Sequence, residues 1–313
     1  MCTLRQKSMV EHNMRFDNEC KKILTNKDIL ANIMLGCLEE YRGVSVDEIS
    51  DRYIEGNPKN DVPILEQPTQ IVGNSNEFNS LNEGRSTFDV TFMAGIPNNN
   101  NKELYLMLDV EAQNNANPGY PILKRGSFYC GRMVVSQYGS VFVKSDYGKL
   151  RKVVSMWLCP FPLNKEQEYT INVYEMNERH VIGDYSAKKE DYDNFCMVVI
   201  FLGNKKPEEL TGLMRFLTVL FVSELPAEEV TRIIRDEYHV RITSDIEKGV
   251  AELCNLSEGI RQRAEEKGRK EERSNFFNAM NLIKKNTPLD DVSKTTGIDL
   301  SSLQSMRDMM FAH

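Results

Sequence analysis

Two neighbouring stretches decide the fold of this chain: Ser-Thr-Phe-Asp-Val-Thr-Phe-Met-Ala at residues 86–94, and Leu-Tyr-Leu-Met-Leu-Asp-Val-Glu-Ala-Gln at residues 104–113. Apolar residues alternate with other residues along both stretches, which is the pattern of strands with one buried face. The intervening residues 95–102, Gly-Ile-Pro-Asn-Asn-Asn-Asn-Lys, are dense in turn formers. The pattern therefore predicts a β-hairpin.

Outward from this hairpin, the chain alternates between helical and strand patterns. Upstream, Ile29, Leu30, Ile33 and Met34 recur at helical spacing behind Asn26, which can cap a helix. Between residues 44 and 83 we expect a loop with one short strand near residue 64 or 71. Downstream, the pattern predicts a helix over residues 122–138 and strands over residues 153–158, 169–174 and 195–202.

The chain becomes entirely helical in pattern after Pro207, which suggests a boundary near residue 206. We expect a leader at residues 1–25 without a clean period, a mixed α/β core at residues 26–206 and an all-helical extension at residues 207–313. Alternating charges at residues 265–273 favour an exposed helix. The last two short helical patterns resemble a helix-turn-helix. A docking helix, through which the chain could form a homo-oligomer, remains equally open.

Composition restricts the class of protein. The net charge is −7, the seven cysteines form no Cys-x-x-Cys pair, and the four histidines are far apart. These features argue against a disulfide framework, a histidine-rich metal centre and a generally basic nucleic-acid surface. Apolar runs are too short to cross a bilayer. We therefore expect a cytoplasmic protein without a membrane-spanning segment.

Three side chains of the hairpin could form a metal site. Asp89 on the first strand and Glu111 with Gln113 on the second would project to one side of the sheet if the register allows. Two carboxylates and the backbone carbonyl of Ala112 are oxygen ligands suited to Mg²⁺ or Mn²⁺. A metal-bound water could then attack a phosphorus atom. The alternative is that these carboxylates simply solvate one face of a sheet.

A local basic segment follows the hairpin. Between Lys124 and Lys152 there are seven basic residues and one acidic residue, a net charge of +6 in an acidic protein. Arg125 and Tyr129 are four residues apart and should share one helix face. We assign Lys124, Arg125, Tyr129 and Arg132 to contacts with the phosphates of DNA. An ordinary solvated helix surface is the competing interpretation.

The residues Phe-Asp-Val-Thr-Phe-Met-Ala, the following hairpin strand and the helix with Arg125 and Tyr129 together resemble the PD-(D/E)xK nuclease superfamily. The branch they resemble is the transposase-associated, recombination-promoting nuclease family, whose charged helix and short helical module are similar to residues 264–307. This resemblance implies a restriction-endonuclease-like core, a mixed central sheet flanked by helices. It also implies Asp89 and Glu111 as metal ligands, with Gln113 replacing the usual lysine.

The resemblance has further implications for the site. Lys124 or Arg125 could supply the charge of the missing lysine, and Glu40 or Asp109 could add a carboxylate, although solvated charge explains those two acids equally well. The expected function is a magnesium-dependent DNA endonuclease associated with recombination or a mobile element. A catalytically weak or inactive relative that binds nucleic acid or a protein is the main alternative. A helical interaction protein without metal or DNA binding is the third.

Overall fold

A computed structural model describes residues 15–16, 18–63, 87–97, 105–112, 119–162 and 164–311 of the protein. For residues 59–63, 87–88, 105–112, 257–272 and 311 the description covers the backbone alone. Two compact units are present, Met1–Ser257 and Glu258–His313. This division lies later in the chain than the change of pattern near residue 206, because the helices that follow the last strand belong to the first unit.

The first unit begins with short helices. Helix α1 occupies residues 18–24 and is followed by α2 (Lys27–Cys37). The side chain of Asn26 accepts hydrogen bonds from the backbone N–H groups of Asp28 and Ile29, so it caps α2 as the sequence predicts. A 3₁₀ turn at Glu39–Tyr41 and helix α3 (Val46–Glu48), which continues as a π turn, complete this region.

A mixed sheet forms the centre of the first unit. Its strands are β1 (Lys59–Pro63), β2 (Thr87–Gly95), β3 (Tyr105–Ala112), β4 (Val153–Cys159), β5 (Thr170–Glu175) and β6 (Phe195–Phe201), in the spatial order β1-β2-β3-β4-β6-β5. The pairs β1–β2, β2–β3 and β5–β6 are antiparallel, whereas β3–β4 and β4–β6 are parallel. The mixed α/β class and the hairpin are therefore confirmed.

Helix α4 (Ile122–Ser136) connects the parallel strands β3 and β4 and packs on the sheet. Every residue of β4 is buried, so the centre of the sheet is covered on both faces. On the α4 face, Tyr129 and Met133 pack against Val153 and Trp157. Helix and sheet approach closely at Gly126, where an added Cβ would lie 2.2 Å from the sulfur of Met197. This close packing fixes the helix over β4.

Helices complete both units. The first unit contains α5 (Lys189–Tyr192), α6 (Gly212–Phe221) and α7 (Ala227–Tyr238), and helix α8 (Ser244–Lys284) runs from the first unit into the second. The second unit also contains α9 (Leu289–Thr296) and α10 (Leu300–Phe311). The helical C-terminal part is thus confirmed, and among the described residues no helix is long and apolar enough to cross a membrane.

The end of the chain has its own small core. Ala279 and Ile283 of α8 pack with Val292 of α9 and with Leu303 and Met306 of α10. Gly297 ends α9 in the left-handed conformation, and Asp299 accepts a hydrogen bond of 2.9 Å from the N–H of Ser302 at the start of α10. Gly297 and Asp299 therefore mark the boundary between α9 and α10.

Candidate active site

The register of the sheet aligns the hairpin positions of interest. Val90 of β2 pairs with Val110 of β3, so continuing this antiparallel ladder by one residue places Asp89 opposite Glu111. In the parallel ladder, Glu111 pairs with Trp157 of β4. Residues paired across strands occupy the same face. Asp89, Glu111 and Trp157 are thus consecutive positions in one row, on the face covered by α4.

Asp89 is a buried acid at the β2 end of this row, with 8% of its surface exposed. Its Oδ1 lies 3.0 Å from Nζ of Lys21, and the exposed fractions of the two side chains are 14% for Lys21 and 11% for Asp89. Lys21 belongs to α1, whose residues Cys20, Ile23 and Leu24 are buried. Packing of α1 therefore places the positive charge of Lys21 next to the carboxylate of Asp89.

Arg125 lies at the β4 end of the row. Its guanidinium carbon is 5.2 Å from the centre of the Trp157 ring and 5.1 Å from that of Tyr129. Its Nη2 donates to the hydroxyl of Tyr129 at 2.6 Å, and its Nη1 donates to the hydroxyl of Tyr120 at 2.6 Å. Arg125 and Tyr129 therefore share a helix face, as the sequence predicts. The three rings hold the guanidinium beside the strand position next to Glu111.

The remaining hairpin residues are described less completely. Glu111 and Ala112 lie at the end of β3, and Ala112 pairs with Leu158. Asp109 pairs with Thr91 and Ser155, which places it on the face of Glu111 and two residues farther from the strand end. The side chains of Asp109 and Glu111 lie outside the described residues. Gln113 lies outside them entirely.

The expected DNA contacts lie on or near the outer surface of α4. Lys124 is exposed and Arg132 is half-buried, whereas Tyr129 is 1% exposed. Tyr129 can therefore reach a ligand only through its hydroxyl group, which already accepts from Arg125. Large apolar side chains are exposed between the basic residues, including Tyr120 at 44% and Phe128 at 47%. Aromatic and basic groups alternate on this surface.

Glu40 is not brought to Asp89. Its Oε1 lies 3.0 Å from Nζ of Lys152, which also contacts Asp193 at 2.9 Å and Glu175 at 3.5 Å. Lys152 precedes β4, whereas Trp157 lies near the end of that strand. At about 3.3 Å per residue the two are about 17 Å apart along the strand. The Glu40 carboxylate is therefore occupied at the opposite end of the sheet.

The donor set at the row of Asp89 and Glu111 fits a hard divalent cation. Both residues offer carboxylate oxygens, and Mg²⁺ and Mn²⁺ prefer oxygen ligands. Each oxygen of a carboxylate accepts more than one contact, so the contact with Lys21 does not prevent Asp89 from binding a metal. Among the side chains that the structure describes, no three His, Cys, Asp or Glu residues are grouped for metal binding. The Glu111 side chain is not part of that description.

Lys21 is the functional candidate that sequence analysis missed. The first residues of the chain have no clean period as a whole, and we expected a leader there. Phe16, Cys20, Ile23 and Leu24 nevertheless lie at i, i+4, i+7 and i+8, and all four are buried. This short amphipathic pattern identifies the helix, but it gives no indication that the neighbouring Lys21 contacts a residue far along the chain.

A comparison of the chain with known protein families, with curated proteins and with solved structures finds no match. The interpretation of the site therefore depends on the chemistry and the geometry of its own residues.

Proposed function

We propose that the protein is a metal-dependent nuclease of the PD-(D/E)xK type, with a restriction-endonuclease-like core, that hydrolyses phosphodiester bonds in DNA. The row of Asp89, Glu111 and Trp157 is the observation that carries this proposal. Two acidic residues occupy facing positions of adjacent strands in this row, and a cation lies at each side, Lys21 beside Asp89 and Arg125 above Trp157. Such an arrangement can bind one divalent cation and one phosphate group.

The metal ligands in this proposal are the carboxylates of Asp89 and Glu111, with the backbone carbonyl of Ala112. A bound Mg²⁺ or Mn²⁺ ion would lower the pKa of a water molecule and offset charge that develops on the phosphate. Gln113 can orient the attacking water through its amide group. Because the water is the nucleophile, the chemistry requires neither a histidine nor a serine.

The phosphate contacts in this proposal come from Arg125 and the basic surface of α4. A guanidinium offers several N–H donors, and those directed at Tyr120 and Tyr129 orient the group rather than neutralise it. A guanidinium held in this way can also contact a phosphate oxygen, because it has five N–H donors. Lys124 and Arg132 extend the positive surface along the helix, which suits a nucleic-acid backbone.

A second function is favoured by the ion pair between Lys21 and Asp89. An ammonium group in contact with a carboxylate can replace a metal ion electrostatically. In that case the protein binds DNA through α4 without cleaving it. This candidate predicts DNA affinity that does not depend on Mg²⁺, and it is separated from the first by measuring cleavage and metal binding on the same samples.

The test is incubation of purified protein with supercoiled plasmid in Mg²⁺, in Mn²⁺ or in EDTA, alongside the Asp89→Ala and Glu111→Ala variants. The nuclease proposal expects nicking or linearisation that requires metal and both carboxylates. Circular dichroism and the melting temperature confirm that each variant is folded. A matched control is Asp146→Ala, since Asp146 is an exposed acid within the basic segment but outside the row.

Three outcomes separate the functions. Metal-dependent cleavage that both substitutions remove supports the nuclease. Metal-independent DNA binding without cleavage supports the second function. Absence of cleavage, metal binding and DNA binding in the folded wild type would contradict both functions and leave the interaction protein of the third interpretation.

A further inference from the structure

We propose that Lys21 is the charge-supplying residue of the candidate active site, and that α1 is part of that site. This inference rests on the proposed nuclease function and assigns a role that the position of Gln113 leaves open. The direct observation is the contact of 3.0 Å between Nζ of Lys21 and Oδ1 of Asp89. A contact of this length between an ammonium group and a carboxylate is an ion pair.

Burial makes this contact different from an ordinary surface ion pair. Lys21 is 14% exposed and Asp89 is 11% exposed as side chains. Lys22, its neighbour on the same helix, is 63% exposed and pairs with Glu19 on the same turn. An exposed pair contributes little, because water screens it, whereas a partly buried charge acts through a lower effective dielectric constant. Of the two lysines of α1, Lys21 is therefore the one whose positive charge acts strongly on Asp89.

The negative charges at the site require more positive charge than one divalent cation supplies, and Lys21 can supply part of it. Two carboxylates and a phosphodiester bring three negative charges together, and attack of water adds a further charge to the phosphorus oxygens. One divalent cation does not balance these charges. Lys21 adds a positive charge on the β2 side of the row, opposite the side on which Arg125 lies. A fixed positive group that faces developing negative charge lowers the energy of the transition state.

The same contact fixes the position of the charge. The ammonium group of Lys21 lies next to Oδ1 of Asp89, so the positive charge has a defined place beside the row. Helix α1 maintains this geometry because Cys20, Ile23 and Leu24 are buried on either side of Lys21 in the sequence. The N-terminal helix is thus a required component of the site.

The test compares Lys21→Met, Lys21→Arg and Lys22→Met in the full-length protein. Methionine keeps the length of the side chain and removes its charge, and Lys22→Met removes the same charge from the exposed side of α1. We expect Lys21→Met to lower kcat by about a hundredfold, as for loss of one fixed electrostatic group. Lys21→Arg should retain much of the activity, and Lys22→Met should cleave as the wild type does.

Metal affinity provides a second measurement that a merely structural role would not produce. Titration of Mn²⁺ into each protein without DNA should show binding to Lys21→Met that is about tenfold tighter, because the competing positive charge near Asp89 is gone. Melting temperatures of all three variants establish that the folded protein is being compared. A merely structural role for Lys21 predicts instead that the folded variant binds Mn²⁺ as the wild type does, or more weakly.

The outcomes distinguish this inference from the proposed function. If the wild type cleaves DNA and folded Lys21→Met cleaves equally well, the role of Lys21 is wrong and the nuclease remains. If cleavage by Lys21→Met falls only in proportion to its folded fraction, Lys21 is merely structural and the inference is again wrong. A wild type that neither cleaves DNA nor binds Mn²⁺ overturns both together.

Discussion

The central sheet has a lysine in contact with carboxylate at both ends of its strands, Lys21 at one end and Lys152 at the other. The two lysine side chains are equally exposed, at 14%. Lys152 meets three carboxylates, from Glu40, Glu175 and Asp193, which come from separate parts of the chain. Lys21 meets Asp89, whose row contains a second acid position and a nearby arginine. Similar pairs therefore have different surroundings, which suggests different uses.

The Lys152 network has the features of a structural element. Asp193 is 3% exposed as a side chain and also accepts a hydrogen bond from the N–H of Met176. Burial lowers the pKa of Lys152, but the hydrogen bond with Asp193 and the charge of Glu40 outweigh this effect and raise it above its ordinary value. The network joins the segment after α2 to the ends of β4, β5 and β6. Its charges are satisfied by the fold itself.

The largest expected effect distinguishes the two buried aspartates, because only Asp89 should be needed for cleavage. Asp89→Asn should lower DNA cleavage by the folded protein by about a thousandfold, because a metal ligand and a charge are lost. Asp193→Asn should leave the cleavage rate of the folded protein unchanged and lower the free energy of unfolding by about 3 kcal/mol. Cleavage assays and urea denaturation of both variants measure the two effects. The comparison fails if Asp193→Asn also slows cleavage by the folded protein, or if Asp89→Asn does not.

Lys152→Met tests whether the Lys152 network stabilises the fold. The substitution leaves three acids without their shared cation, so we expect a loss of about 3 kcal/mol in the free energy of unfolding. Lys189 contacts Glu175 at 3.2 Å and partly compensates. Urea denaturation measures the loss, with exposed Lys188→Met as the matched control. Unchanged stability would show that the network contributes nothing to the fold.

The sequence predicts the strands and helices of the site but not the contacts between them. Alternation predicts β2 and β3, and residues 153–158, which are apolar apart from Ser155, predict β4, both of whose faces are buried. Strand β1 (Lys59–Pro63) ends just before residue 64, whereas residues 64 and 71, near which the sequence predicts a short strand, lie outside the described residues. An edge strand needs little apolar surface and tolerates a proline such as Pro63.

The contacts of Arg125 and Lys21 differ in whether the sequence can predict them. The pairing of Arg125 with Tyr129 is local, four residues apart on one helix, so the spacing alone predicts it. The contact of Lys21 with Asp89 joins residues in α1 and β2, and it exists only because α1 packs across the fold. For the same reason Glu40 was considered for the metal site, whereas tertiary packing takes it to Lys152.

Arg125→Gln should have a moderate effect on the candidate site. Glutamine removes the charge that lies over Trp157, so we expect affinity for a short DNA duplex to fall about tenfold at low salt. The salt dependence of binding should also become shallower. Fluorescence anisotropy at several salt concentrations measures both, with Arg52→Gln as an exposed control outside α4. Unchanged affinity and slope would remove Arg125 from the DNA surface.

Glu40→Gln has a smaller expected effect and tests the assignment of Glu40 to the Lys152 network. Its side chain is 21% exposed and contributes one of three acids around Lys152. We expect a loss of about 1 kcal/mol in the free energy of unfolding, since the amide can still accept a hydrogen bond. Cleavage and Mn²⁺ affinity should stay at the wild-type level. A fall in Mn²⁺ affinity without loss of stability would instead return Glu40 to the metal site.

The smallest expected effect concerns pH. The pKa of Lys152 is raised in the folded protein above its ordinary value of 10.5, so its contribution to stability is complete below that pH and is lost as the pH rises further. The difference in unfolding free energy between wild type and Lys152→Met should therefore be constant from neutral pH to about pH 10 and should shrink above it. Urea denaturation at a series of pH values measures the difference. A difference that shrinks between pH 7 and pH 9 would contradict the network, because a lysine stabilised by three acids remains charged throughout that interval.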